Sequence, residues 1–358
     1  MNRGPDMGFA AAARKNRVSD RCAPRGADPA SIRDLITGYR AARVLFTAAR
    51  LELFDQLSQG PRSLAAICAT LDTRPRPTEA LLDALAALGF LRKQDAAWEL
   101  SSTAREHLLE NAPGSLASEL KVQDLLWDSW GELERVLREG KPRASLPRRL
   151  AGQPGFAEDS FRSASARERG AAATLVEAID CSRAGALLAF GGSAACSLAF
   201  LERWRKLRVD LICLPETLRL IQGLADTSAH RDRLGLLPGD YRHWEPLPET
   251  YDVVVLSHVT NQLGETSNRD LLHRAHLALR PGGHALVHDS MTEDHGISPL
   301  SASLLSVHLG VHTEEGRSHG AKNYLRWLRA AGFTDIQDHP IAAGAQDASR
   351  LLIGRKEA

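Results

Sequence analysis

The sequence has little of what marks a membrane, secreted or nucleic-acid-binding protein. No apolar run approaches the roughly 18 residues that a bilayer span requires. The five cysteines (Cys22, Cys68, Cys181, Cys196 and Cys213) are odd in number and show no paired spacing. That excludes a disulfide framework or zinc knuckle and reads as reduced thiols in a cytoplasmic protein, with no metal site. A net charge of +1 gives no pull toward nucleic acid or an anionic membrane. Gly-x-Gly-x-x-Gly is missing, and no acid ends the strand expected after the glycine turn, which argues against a dinucleotide enzyme.

What is present is an ordinary globular composition, 43% hydrophobic and 25% charged, over 358 residues, enough for two cores. Residues 1–29 carry Arg14, Lys15, Arg17, Arg21 and Arg25 after a short alanine patch, the wrong order for a secretory signal. They read as a disordered basic leader, with a start at Met7 or an organellar transit peptide as the other readings.

From Ala30 the spacing predicts a long helix capped by Ser31, stopped at Gly60-Pro61, then a short helix capped by Ser63. A third helix has Pro77 in its first turn and runs to Leu88; a small hairpin about Asp95 follows. Three helices and a wing suggest a winged helix-turn-helix. Its reading helix, Pro77–Leu88, carries Glu79 and Asp83 and no basic residue, so the unit is expected to pack against a partner and not against DNA. Leu116–Leu137 and Phe156–Ile179 read as helix, with Trp127 and Trp130 as candidate pocket-lining residues and Gly140–Gly155 as loop. Few aromatics and the arginine-rich loop 143–149 hint at a polar or anionic small-molecule substrate.

The stretch Ala186–Leu218 is apolar run, glycine turn, helix, apolar run: a βαβ unit. Weak strand over Arg231–Leu237, then Asp252–Ser257, His284–Asp289, Thr334–Asp338 and Arg350–Gly354, alternate with helical segments Arg269–Leu279, Leu300–Leu309 and Ala321–Ala331. That is an α/β, doubly wound sheet, with ligands expected outside the carboxyl ends of its strands. Phe190–Ser193, Cys213, Asp240, His258–Asn261 and Asp289 then surround one crevice.

Several short motifs share one order and spacing. They are Trp127-x-x-Trp130-x-x-Leu133 with Gly140-x-Pro142, Leu214-Pro215-Glu216, Gly239-Asp240-Tyr241, Asp252–His258, Ala278–Gly283 and Ala331-Gly332-Phe333. In these the chain, from about Ala30 onward, resembles the plant-type small-molecule O-methyltransferases, including the bacterial hydroxyindole and polyketide branch. The resemblance implies an N-terminal all-α winged-helix dimerisation domain over residues 30–111 and a helical linker and substrate-lining segment over 112–170. It further implies a Rossmann-like class I methyltransferase domain over 171–358 that uses S-adenosylmethionine on a small-molecule substrate. The active unit implied is a homodimer, with no nucleic-acid or membrane partner.

Carried over by residue, the resemblance implies a cofactor site of Gly191, Gly192, Ser193, Cys213, Leu214, Asp240 and Tyr241. The family's acid at the first strand is Ala189 here, and its ribose-binding acid is Cys213. A thiol there replaces a carboxylate that would accept two hydrogen bonds, so cofactor binding is expected to be weak or lost. The family's catalytic histidine is Asn261, its following acid is Asp289, and its second supporting glutamate is Ser318. Nine of the thirteen histidines lie between positions 258 and 319, so replacement bases are sought there: His258 and His319. His308 and His312 have a metal-like i,i+4 spacing but no accompanying cluster, so they read as surface histidines. Three functions remain open: methyl transfer by proximity, other chemistry such as hydroxylation, decarboxylation or cyclisation, and a catalytically inactive partner or metabolite-sensing regulator.

Overall fold

The computed structural model describes residues 29–191, 193–293, 296–341 and 349–358. The expected leader up to residue 28, with Cys22, and also Gly192 and His295 lie outside the described residues.

The N-terminal unit starts with α1 (Pro29–Arg50) and α2 (Leu53–Gln56). The long helix expected here is therefore two, broken where Glu52 takes a left-handed backbone with φ 54°. After β1 (Arg62–Ser63) come α3 (Leu64–Leu71), α4 (Pro75–Ala87), β2 (Leu91–Gln94), β3 (Ala97–Leu100) and α5 (Ser102–His107). Ser63 caps α3 by accepting from the Ala66 amide, and Pro75 occupies the first turn of α4, where its missing N–H costs nothing. The β2–β3 turn has positive φ at both Asp95 and Ala96, the twist that matches a two-residue hairpin. Leu53, Phe54, Leu82, Leu85 and Trp98 close a core beneath this wing.

Four helices lead on: α6 (Ala117–Gly131), α7 (Leu133–Glu139), α8 (Leu146–Gly152) and α9 (Pro154–Glu177). The segment expected to be loop thus contains a helix. Leu150, with Leu146 beside it, packs on Phe156, Val122 and Leu126, and that local cluster outweighs the Pro- and Gly-rich composition.

The C-terminal domain holds β4 (Ala186–Phe190), α10 (Ala195–Arg203), β5 (Arg208–Cys213), α11 (Pro215–Asp226), β6 (Leu234–Pro238), β7 (Tyr251–Ser257) and α12 (Glu265–Ala278). It continues with β8 (Leu279–Ser290), α13 (Leu300–His312), α14 (Ala321–Ala330), β9 (Phe333–Pro340) and β10 (Ser349–Lys356). One seven-stranded sheet runs β6-β5-β4-β7-β8-β10-β9, parallel except that β10 is antiparallel to both its neighbours. The Arg280–Gly283 stretch, expected as a helix stop, opens β8.

The burial pattern explains why β7 reads as an unbroken apolar run. Val254 and Leu256 face the core with α12 and α14, while Val253 and Val255 face the core with α9, α10 and α11. Strand order reverses at β4, because β5 lies on one side of it and β7 on the other. That switch point opens a crevice at the carboxyl ends, and α6, α8 and α9 close over it.

Candidate active site

A cavity of about 470 Å³ occupies this switch point, a size suited to a small molecule. Gly191 and Leu214 reach it from the ends of β4 and β5, and His258, Val259 and Asn261 from the end of β7. Leu126, Leu150, Phe156 and Phe161 form an apolar roof from α6, α8 and α9, and α13 contributes His308, Leu309 and His312. Trp127 and Trp130 are not in this wall. Trp127 packs edge-on against Phe46, and Trp130 sits behind His308 with ring centres 5.9 Å apart.

The glycine turn is built around Glu168, on α9. Its carboxylate is 4% exposed and accepts a 2.7 Å hydrogen bond from Ser193 Oγ. Burial pushes its pKa up to about 7, even though Ser193, the His258 ring and the Cys196 and Ser193 amides favour the charged form. A Cβ at Gly191 would meet three oxygens first: Glu168 Oε1 at 3.3 Å, and the Ser193 and Ser257 carbonyls at 3.8 Å. Glu168 is the one carboxylate among the described residues lining the cavity. Sequence reasoning missed it, because its only signal is an acid within the run of small residues and arginines from Ser163 to Gly170.

At the β5 and β6 ends the predicted site residues diverge. Leu214 and Tyr241 line the cavity. Cys213 is buried with its thiol pushed up to about 11 by desolvation, outside the lining set. Asp240 is also outside that set; both its oxygens take hydrogen bonds from the Arg242 side chain, at 2.6 to 3.0 Å. Burial would raise its pKa, but those bonds hold it below the usual carboxylate value. Glu216, in the first turn of α11, keeps a buried carboxylate oxygen that no described residue bonds.

Asn261 is buried at the cavity wall in a short 3-10 turn. Asp289, wholly buried, stands behind it and not in the wall. Its Oδ2 accepts from Thr260 Oγ1 at 2.7 Å and from the Asn261 amide at 2.9 Å, and its Oδ1 from the Ser290 amide at 2.9 Å. Burial alone would raise its pKa; the nearby His258 ring, Thr260 and that amide reverse the shift and hold it low. Asp289 therefore positions the loop that carries Asn261.

The histidines separate in the same way. His258 lines the cavity with φ 54°, its Nδ1 3.8 Å from Asp289 and its ring 4.6 Å from His288. His319 does not line it. Its Nε2 lies 2.7 Å from the Leu263 carbonyl, and the ring packs edge-on to Tyr324 and Trp327. Ser318, expected at the family's second supporting glutamate, donates to the Ser290 carbonyl. His308 and His312, expected on the surface, face the cavity with ring centres 4.5 Å apart. Burial pushes them down to about 4 and about 3, so both are neutral imidazoles. Neither nitrogen of His312 has a hydrogen-bond partner among the described residues, and no three metal-ligating side chains gather there or elsewhere among them.

Comparison with known proteins gives a consistent family. Residues 33–110 match the O-methyltransferase dimerisation domain and residues 158–334 the O-methyltransferase domain. The tetracenomycin polyketide synthesis 8-O-methyl transferase TcmO of Streptomyces glaucescens is 29% identical over 334 residues, covering 92% of this chain and 97% of that protein. A structure of PigF with SAH superposes with a TM-score of 0.83 at 25% identity, covering 92% of this chain and all of that one. Human N-acetylserotonin methyltransferase in complex with SAM gives 0.80 at 24%, covering 93% and 99%.

Proposed function

The chain belongs to the O-methyltransferase family, and on that premise we propose that it methylates a hydroxyl of a small natural product, with S-adenosylmethionine as donor. The continuous cavity carries this reading. It runs from the glycine turn at Gly191 and the tyrosine at Tyr241 to Asn261, Leu309 and His312. Donor and acceptor would each have a wall, and the two walls meet. TcmO acts in tetracenomycin polyketide synthesis, which makes a polyketide hydroxyl the acceptor class to try first. Arg149 and Arg167 in the wall suit an acceptor with anionic character.

The residues present fit the donor at β4, where the buried Glu168 carboxylate lines the cavity beside Gly191 and can meet a cationic group. Leu214, Tyr241 and the glycine turn would hold it, and Asp240 would serve only by exchanging Arg242 for it. Bound S-adenosylmethionine supplies a methyl group on a cationic sulfur, already an electrophile. Asn261 can hydrogen-bond the acceptor but takes no proton at neutral pH. A general base contributes about 10²–10⁴-fold, less than well-oriented proximity supplies. The wall's work is then orientation and exclusion of water. Asn261 and Cys213 favour a second reading, in which the cavity serves non-methylating chemistry or a silent partner subunit.

Calorimetric titration with S-adenosylmethionine and S-adenosylhomocysteine tests this. Saturable binding of both is expected, and no heat at millimolar ligand would remove methyl transfer. Cys213→Asp is expected to tighten S-adenosylhomocysteine by about 10- to 100-fold, because a carboxylate accepts two ribose hydroxyls where a thiol does not. The same change should lower the melting temperature of the free protein, since it buries an unpaired acid. No gain in affinity would remove Cys213 from the ribose site.

The homodimer is proposed to form through the N-terminal domain. On α1, Ile32, Leu35, Ile36 and Tyr39 are exposed, with Leu35 at 81%, an apolar stripe that a second copy would cover. Leu35→Glu is expected to shift sedimentation toward the monomer at micromolar concentration. An unchanged dimer would place the interface elsewhere.

A further inference from the structure

The resemblance implies acids around the cofactor where this chain has Ala189 and Cys213, yet one carboxylate among the described residues reaches the cavity. Glu168 comes from α9, a different element. A purely structural role would be to seat the glycine turn, since Ser193 Oγ bonds it, the Ser193 and Cys196 amides favour its ionised form and α10 has no side-chain cap of its own. That role accounts for the Oε2 edge. It does not account for the other edge, where Oε1 lies on the open side of Gly191, 3.3 Å from where a Cβ would stand, in a residue that lines the cavity.

A buried carboxylate in the cavity wall beside the glycine turn is complementary to a cationic group that only donates. A neutral ligand oxygen would be repelled there, and a carboxylate more so. An ammonium offers only N–H donors and one positive charge, which matches the single negative charge of the acid. We propose that Glu168 binds the α-ammonium of S-adenosylmethionine and S-adenosylhomocysteine. This rests on the cofactor reading above and assigns a residue to it.

The groups facing Glu168 are compatible with this. His258, from the end of β7, and Ser193 favour its ionised form, and the Cys196 thiol on α10 is pushed up by burial and by Glu168. Arg167, next along α9, also reaches the cavity wall. With its carboxyl poised about pH 7 in the free protein, ammonium binding should ionise it. At pH 7 S-adenosylhomocysteine should then release roughly half a proton per site.

The test compares S-adenosylhomocysteine with 5′-methylthioadenosine, the same nucleoside thioether without the amino-acid end, by calorimetry on the full chain at pH 8. Glu168→Gln is expected to weaken S-adenosylhomocysteine about 10-fold or more and 5′-methylthioadenosine less than about 2-fold. Gly191→Ala keeps the acid but sets a methyl 3.3 Å from its Oε1, its backbone is not in the left-handed region, and it should show the same selectivity. It decides the matter if Glu168→Gln fails to fold. Proton release, read in buffers of different ionisation enthalpy, should vanish in Glu168→Gln and for 5′-methylthioadenosine. If the wild-type protein binds S-adenosylhomocysteine and the variants lose both ligands equally, or neither, the ammonium assignment falls and the cofactor reading stands. If the wild type binds neither ligand, both fall.

Discussion

Glu168→Gln is expected to be more stable than the wild-type protein at pH 8, by up to about 3 kcal/mol, and similar to it at pH 5. The folded state raises the Glu168 pKa from 4.5 to about 7, with burial the largest cause. Between those values the folded chain keeps a proton that the unfolded chain has released. Stability therefore falls as pH rises through this window, and the loss is complete above the folded value. Glutamine resembles the protonated acid in shape and charge and carries no such penalty. Its amide can still face Ser193 Oγ, which reverses as donor or acceptor. Denaturant unfolding of both proteins at pH 5, 6, 7 and 8 reads the effect as a gap that opens with pH. A constant gap, or a variant less stable at pH 8, would mean that the carboxylate is already satisfied by its neighbours. Combined with weaker ligand binding, the expected result places Glu168 among residues that cost stability and serve a ligand.

Much of the fold was readable because its signals are local. The Gly191 turn, the apolar run of β7, the hairpin at Asp95 and the cap at Ser63 each depend on residues within a few positions of one another. The departures have the opposite character. Helix α8 forms in a Pro- and Gly-rich stretch because Leu150 finds Phe156, Val122 and Leu126, neighbours that no periodicity reveals. Glu168 lies more than 20 positions before the turn it supports, and in sequence it looks like one more charge on a solvated helix face. His308 and His312 show a metal-like spacing, but their meaning depends on which face α13 turns to the cavity. Spacing gave the pair, and packing gave its surroundings. The same division runs through the histidines proposed as bases: His258 and His319 look equivalent in sequence, and the fold puts one at the cavity wall and the other behind it.

Asp289→Ala is expected to lower unfolding free energy by about 3–5 kcal/mol at pH 7, the range for removing one partner from a buried charged network. The side chain is fully buried and accepts from Thr260 Oγ1 and from the Asn261 and Ser290 amides. Thr260 in turn accepts from Tyr324 at 2.9 Å, and Asn268 donates to the Thr260 carbonyl at 2.8 Å. Alanine would leave three donors facing a void, each carrying a desolvation penalty. Asparagine keeps one oxygen but points an amide at donors, and should cost about 1–3 kcal/mol. Tyr324→Phe removes one outer bond and should cost about 1 kcal/mol. The sign with pH is opposite to that of Glu168. Asp289 is held below its ordinary value in the folded state, so its contribution is present above the unfolded pKa and is lost as pH falls through the folded one. The gap between wild type and Asp289→Asn should therefore narrow in acid, while the Glu168→Gln gap widens toward base. Equal stability of Asp289→Ala and wild type at pH 7 would show that the Asn261 loop holds itself. The expected collapse would instead mean that the buried acid fixes the cavity wall from behind, whether or not a proton is ever taken at Asn261.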